Sequence, residues 1–292
     1  MKRMSILVLV MAVLFGGCAR PQARITETWD LLVSERARIS RVAESGESEQ
    51  FVSAPGLVRV LGGEVFVLRG RDVFVYDTTG KEHRRISVPT EVRYFINFVV
   101  LTGKRVAYLD NRNDVIYFVD ANGKHLKTVS FAEKANGHLQ NMDGVVVGNR
   151  LVVSENGDNE LISVDLSTYQ VSIFRDLKQL RGWLGAIAWA DGRYYICQSE
   201  RIYTFSEDLP EVKEVATTPE GNITGVACAQ GRLFAVVNGM SRINERSLSA
   251  KYRTTQGILY EVNPETGEVK QLKDGLNYPD GVAVVSSPEE RS

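Results

Sequence analysis

The chain carries almost no excess of either charge: Lys plus Arg number 35 and Asp plus Glu 36 among 292 residues, a formal net charge of −1. Such a balance creates no overall field that would gather nucleic acid, and that class of partner is excluded. Histidine is equally scarce. The three copies, His83, His125 and His138, fall in or near turns at the ends of repeats, and no HExxH or close His pair occurs. Catalytic zinc therefore lacks its usual nitrogen ligands. There is no GxSxG elbow, no GxxxxGK[ST] loop and no GxGxxG turn after a strand, so triad hydrolysis and nucleotide binding find no support. Long helical periodicity is also missing. Apart from Cys18 the chain holds only Cys197 and Cys228, both in apolar strand-like runs. An exported compartment would permit a bridge between them, but their positions favour buried free thiols.

What the chain does have is a repeat of about 40 residues. A glycine between two apolar runs recurs at Gly63, Gly103, Gly148, Gly192 and Gly231, every 39 to 45 residues. The runs after it, such as EVFVL, NRLVVS and RLFAVV, are rich in β-branched and aromatic residues, the composition of strands. A third segment in each copy ends at Asp77, Asp120, Asp165, Ser206 or Asn263, whose short polar side chains open turns by bonding backbone two residues on. A first strand precedes each glycine, as in GLVRVL and TGVACA, and a sixth, DGVAVV at 280–285, has no successors.

Tandem four-stranded antiparallel sheets at this period predict an all-β, six-bladed β-propeller, in which no blade buries both faces until the ring closes. Two plausible strands, ITETWDLLV and ARISRVAE, precede the first unit, so the N-terminal segment is expected to complete the last blade.

The N-terminus reads as an address. Lys2 and Arg3 precede ILVLVMAVLF, then Gly16, Gly17 and Cys18. This is a charged region, an apolar core too short for a comfortable membrane span, and a small-residue cleavage site. Phe15-Gly16-Gly17-Cys18 resembles the bacterial lipobox, which implies cleavage before Cys18 and lipidation of its thiol. Several acyl chains hold a protein on a membrane where one barely does, so the mature chain is expected to be tethered, not spanning. Ala19 after the cysteine implies, in a Gram-negative host, an outer-membrane lipoprotein facing the periplasm. The expected organisation is a signal peptide over 1–17, a tether over 18–23, the propeller over 24–285 and a tail over 286–292.

In a propeller, the loops entering the first strands and those joining second to third strands open on one face. Here that face gathers Asn97, Asn141, Asp143, Asn222, Asn277 and Asp280 from the first set, and Asp110, Asn111, Asn113, Glu155, Asn156, Asp158, Asn159 and Asn238 from the second. Carboxylates and amides are hard oxygen ligands suited to Ca²⁺ or another divalent metal, with Asn141, Asp143, Asn222 and Asp280 as the candidate ligands. With six blades, Asp143 and Asp280 face each other across the channel. The same residue types also serve turns at strand entrances, so both readings stand.

NYPDGVAVV and MDGVVVGNRLVVSENGDNELISVD resemble the NHL-repeat proteins and the gluconolactonase or senescence-marker-protein-like family of propellers, over most of residues 50–285. The second resemblance implies a divalent metal at the channel mouth, held by a Glu entering the first blade and by later Asn and Asp, with Asp143 or Asp280 as ligand or general acid/base in lactone or ester hydrolysis. Ser53, Ala54 and Pro55 stand where that Glu would enter, and the RGWLGAIAW run offers no Asn or Asp.

The fifth unit carries an insertion, NGMSRINERSLSAKYRTTQG, with Arg242, Arg246, Lys251 and Arg253 against Glu245, a local charge of +3, and Tyr252 available for stacking. It reads as a binding loop for an acidic ligand or as a tolerated surface insertion. Intact repeats, an anchor signal and an incomplete catalytic set favour a cell-envelope lipoprotein whose propeller binds a protein, peptide or carbohydrate. The alternative is a metal-dependent lactonase or esterase.

Overall fold

The computed structural model describes residues 29–92, 97–110, 112–131, 143–155, 159–180, 182, 184–209, 211–219, 221–238 and 256–286. They form six four-stranded antiparallel sheets arranged as a six-bladed β-propeller. The six innermost strands are Leu57–Leu61, Asn97–Leu101, Gly144–Val147, Leu184–Ala190, Asn222–Ala229 and Gly281–Ser286, and they number the blades one to six. Each touches the next and the last touches the first, so the ring is closed. Among the described residues the only helical turn is Thr102–Lys104, and no helix is long and apolar enough to cross a membrane.

Packing follows from the two-residue period of a strand. In blade two, Val99 and Leu101 join a cluster with Leu151 and Ile162 of blade three, while Phe98 and Val100 turn the other way onto Phe66 and Val73 of blade one. The same division holds around the ring: six apolar clusters occupy the six blade-to-blade interfaces. Among the described residues there is no common centre of apolar side chains; the core is a set of radial seams, and the axis is left to other residues. Burial decreases outward. The second strand of blade four reads almost wholly buried, whereas the outermost strand of blade two, His125–Ser130, is exposed at five of its six positions.

The recurring glycines close the hairpins between first and second strands. Gly62–Gly63, Asp191–Gly192 and Gln230–Gly231 are two-residue connections with both φ angles positive, the pattern of a type I′ turn that matches strand twist. A methyl group on Gly63 would meet nothing within 4 Å. The glycine is there for its backbone angle, not for space. The expected turn openers behave alike: the Oδ1 atoms of Asp77, Asp120, Asp165 and Asn263 each accept the N–H two residues on, at 2.8–2.9 Å.

Closure departs from expectation in one respect. The N-terminal segment supplies three strands to blade six, not two: Trp29–Ser34, Ile39–Ala43 and Ser48–Val52. A single C-terminal strand leaves three places to fill, and SEQFV fills the outermost, where little apolar area is needed. Trp29–Ser34 pairs along its length with Gly281–Ser286, Trp29 opposite Ser286 and Ser34 opposite Gly281. Trp29 also packs on Phe234 of blade five, with ring centroids 4.5 Å apart. His83 and His125 lie in outermost strands, His125 Nε2 being 2.9 Å from Thr128 Oγ1. Residues 1–28, 132–142 and 239–255 lie outside the described residues, and with them Cys18, His138, Asn141 and the insertion bearing Arg242, Arg246, Lys251, Tyr252 and Arg253.

Candidate functional site

A cavity of about 510 Å³ opens where the inner strands begin, and every blade contributes to its wall. Arg59, Asn97, Asp143, Asn222 and Asp280 bring polar groups to it from blades one, two, three, five and six. Blade four contributes Leu184, Gly185 and Ala186 from its inner strand, and Ser199 from the turn beyond its second.

Arg59 organises one side. It shares parity with Leu57 and Leu61, which face blade two, and its guanidinium leans toward the Phe98 ring, 5.9 Å from the centroid. From there one nitrogen, Nη2, donates to Asn97 Oδ1 at 3.0 Å and to Asp143 Oδ1 at 2.6 Å. Asn97 Nδ2 donates to the same carboxylate oxygen at 3.1 Å. Backbone amides complete the cradle: Gly144 N–H donates to Oδ1 at 2.9 Å and Ile187 N–H to Oδ2 at 3.1 Å. Ser154, fully buried, fixes the strand entrance by accepting the Asp143 N–H at 3.1 Å and donating to the Gly185 carbonyl at 2.9 Å. Asp143 is thus a carboxylate with four donors, one of them a cation, tying blades one to four together.

The other side is built by close backbone approach. The inner strands of blades four and five each carry a bulge, between Leu184 and Ile187 and between Ile223 and Gly225. In the second, Thr224 Oγ1 donates to the Pro279 carbonyl of blade six at 2.6 Å. A methyl group on Gly225 would stand 2.6 Å from Gly281 Cα and 2.9 Å from Val282 N, so only glycine lets blades five and six come this near. Asp280 follows directly. Its N–H donates to the Ser34 carbonyl at 2.9 Å, but its carboxylate has no hydrogen-bond or ion-pair partner among the described residues. The group keeps contact with solvent at the cavity wall, yet the crowded surroundings desolvate it and push its pKa above the ordinary carboxylate value.

The remaining expected residues divide cleanly. Asp110 is buried and accepts the N–H groups of Arg112 and Asn113 and the Asn113 side chain, at 3.0, 3.1 and 2.8 Å, which is turn chemistry. Asn159 donates to the Leu180 carbonyl at 2.8 Å. Asn277 engages through its backbone, its N–H donating to Glu35 Oε2 at 2.7 Å. Glu155 and Asn238 are buried at the ends of second strands. Asn111, Asn141, Asn156 and Asp158 lie outside the described residues. Asn97, Asp143, Asn222 and Asp280 are the expected residues that meet in the cavity.

The fold, not the sequence, is what this chain shares with known proteins. No family model matches it, and no curated protein matches it by sequence. Among solved structures, a protein of unknown function from Bacteroides caccae aligns over 89% of this chain and 100% of its own, with a TM-score of 0.60 and 13% identity. A chain of a nidogen/laminin complex aligns over 88% of this chain and 98% of its own, with a TM-score of 0.61 and 10% identity.

On the metal question, the propeller's own donor set is informative. Asp143 and Asn97 direct their side-chain oxygens at N–H groups, and the Arg59 guanidinium holds the place between them that a divalent ion would need. Ca²⁺ requires six to eight oxygens and a site without a competing cation. The Asp143 side of the cavity does not fit such an ion. On the Asp280 side, no group of three or more His, Cys, Asp or Glu stands together among the described residues.

Arg59 is the residue that sequence reasoning missed, though GLVRVL places one charge inside an apolar inner strand. Cys197 and Cys228 are free thiols; burial pushes both upward, Cys228 to about 12, which leaves them unreactive at neutral pH.

Proposed function

We propose that the chain is a cell-envelope lipoprotein, anchored through Cys18, whose propeller is a binding module for a protein, peptide or carbohydrate. The observation that carries this reading is the state of Asp143. A lactonase or esterase would use Asp143 or Asp280 as metal ligand or proton carrier, and here Asp143 is spent on Arg59, Asn97 and two backbone amides. That leaves a preformed, partly apolar cavity with one carboxylate unpartnered among the described residues, which is the character of a recognition site. The same fold occurring in a nidogen/laminin complex supports a binding role without assigning this chain a partner.

Strand direction supports the anchoring half. Ser34 lies at the cavity end of its strand and Trp29 at the far end. The ten residues between Cys18 and Trp29 can span at most roughly 35–40 Å. An anchor there would put the far face toward the lipid and the cavity toward the compartment. The resemblance to the NHL-repeat and gluconolactonase-like propellers belongs to this proposal as kinship of architecture.

The test is capture from detergent-solubilised envelopes by the immobilised full chain, wild type against Asn222→Arg, which plugs the cavity. Partners retained by the first and lost by the second are expected. Retention of none, together with metal-dependent turnover of lactones or esters, would overturn the binding reading.

A further inference from the structure

Resting on the binding-module reading, we propose that the group this cavity captures is a primary ammonium on an aliphatic stem, a lysine side chain presented by a protein or peptide partner. Charge accounting comes first. Among the described residues three formal charges line the cavity; Arg59 and Asp143 cancel at 2.6 Å, and Asp280 is left over. The described lining therefore carries one net negative charge, on one wall. An acidic ligand meets an uncompensated carboxylate, and a divalent cation finds too few free oxygens among the described residues.

Desolvation of Asp280 adds direction. Asp280 is solvent-exposed at the wall but partly desolvated, with no donor among the described residues, so a ligand that brings donors to it is favoured. Shape selects the cation. Leu57, Ile223, Val226 and Val282 offer methyl groups along the wall, suited to a (CH₂)₄ stem, while Asn222 and Ser199 add acceptor oxygens near the opening. An ammonium is a compact charge with three donors that can be shared among acceptors on different blades. A guanidinium is planar and best served by a carboxylate that offers both oxygens in its plane, and Asp143, whose oxygens are occupied by Arg59, Asn97 and two backbone amides, cannot offer them.

Isothermal titration of the full chain with acetyl-Gly-Lys-Gly-amide and its Arg, Gln and Glu counterparts tests this at pH 7.5. The Lys peptide is expected to bind at least tenfold more tightly than the other three, with a Kd of about 1 mM or below. Asp280→Asn should reduce Lys-peptide affinity at least tenfold while leaving the melting transition intact. Asp274→Asn, on an exposed outer strand, should leave it unchanged. Equal affinity for Lys and Gln peptides, tighter binding of the Arg peptide, or indifference to Asp280→Asn would each overturn the proposal. Binding of 1,5-diaminopentane more tightly than the peptide would overturn the peptide source in favour of a free amine. If the Lys peptide fails while envelope partners are still lost in Asn222→Arg, the ammonium assignment falls and the binding module stands. If both fail, both fall.

Discussion

The two sides of the channel are made from the same repeat and do opposite things. On the side of blades one to three, long polar side chains reach across the seams and neutralise one another. On the side of blades five and six, glycines bring backbones together and a carboxylate is left with no donor among the described residues. The scaffold fixes where an inner strand begins; the residue set at that point decides whether the blade is tied to its neighbours or opened to a ligand.

The largest test removes the tie. Arg59→Met leaves Asp143 with its amide donors but no cation, and should lower stability by about 3–5 kcal/mol, the cost of breaking a largely buried pair. Adding Asp143→Asn to it should recover a substantial part, read as coupling in a denaturant-unfolding cycle. If Arg59→Met is neutral, the two sides do not differ in the way described. Gly225→Ala acts on the other side. Its methyl group would collide with Gly281 and Val282 backbone, which has no soft side chain to yield, and should cost about 2–3 kcal/mol. Gly63→Ala, with open space around it, should carry only the smaller cost of a left-handed backbone, about 1–2 kcal/mol. The ratio of the two separates crowding from conformation.

Two carboxylates sharpen the contrast through pH. Glu35 is desolvated as Asp280 is, but the Asn277 N–H and the side chains of Ser40 and Arg38 outweigh burial and hold its pKa below the usual value. Its contribution is present above the ordinary carboxylate range and lost as pH falls through the depressed folded-state value. Glu35→Gln should cost about 2 kcal/mol at pH 7 and less in acid, by thermal melts across pH. Asp280 runs the other way. Its raised folded-state value means that the folded chain keeps a proton the unfolded chain has lost, so its contribution favours folding in acid and fades as pH rises through that window. Asp280→Asn should therefore raise Tm slightly at pH 7, by about 1 °C, with the gain vanishing near pH 4. The smallest expected effect is that of calcium. Neither Ca²⁺ nor a chelator should move the Tm of the wild-type chain, and a rise with saturating Ca²⁺ would restore the metal reading.

The fold was legible because its signals are local and repeated. A type I′ hairpin demands positive φ, so Gly63, Gly192 and Gly231 write the blade period into the sequence, and the side chains of Asp77 and Asp165 mark the next turn. Ser48–Val52 was not legible, since an outermost strand buries little and SEQFV has no apolar stripe to announce it. The site was half legible. Asp143 and Asp280 could be placed on one face from their position before first strands. That one would be bound by a guanidinium and the other left open depends on which way Arg59 points, and alternation in GLVRVL gives parity but not reach. Ile187 was beyond any sequence signal, because its role is an amide exposed by a bulge.

Because residues 29–52 and Gly281–Ser286, far apart in sequence, build blade six together, this ring has no finished state until both segments are in place. A chain lacking Gly281–Ser286 would leave the apolar seams beside blades five and one uncovered together, so loss of one short strand opens two interfaces at once.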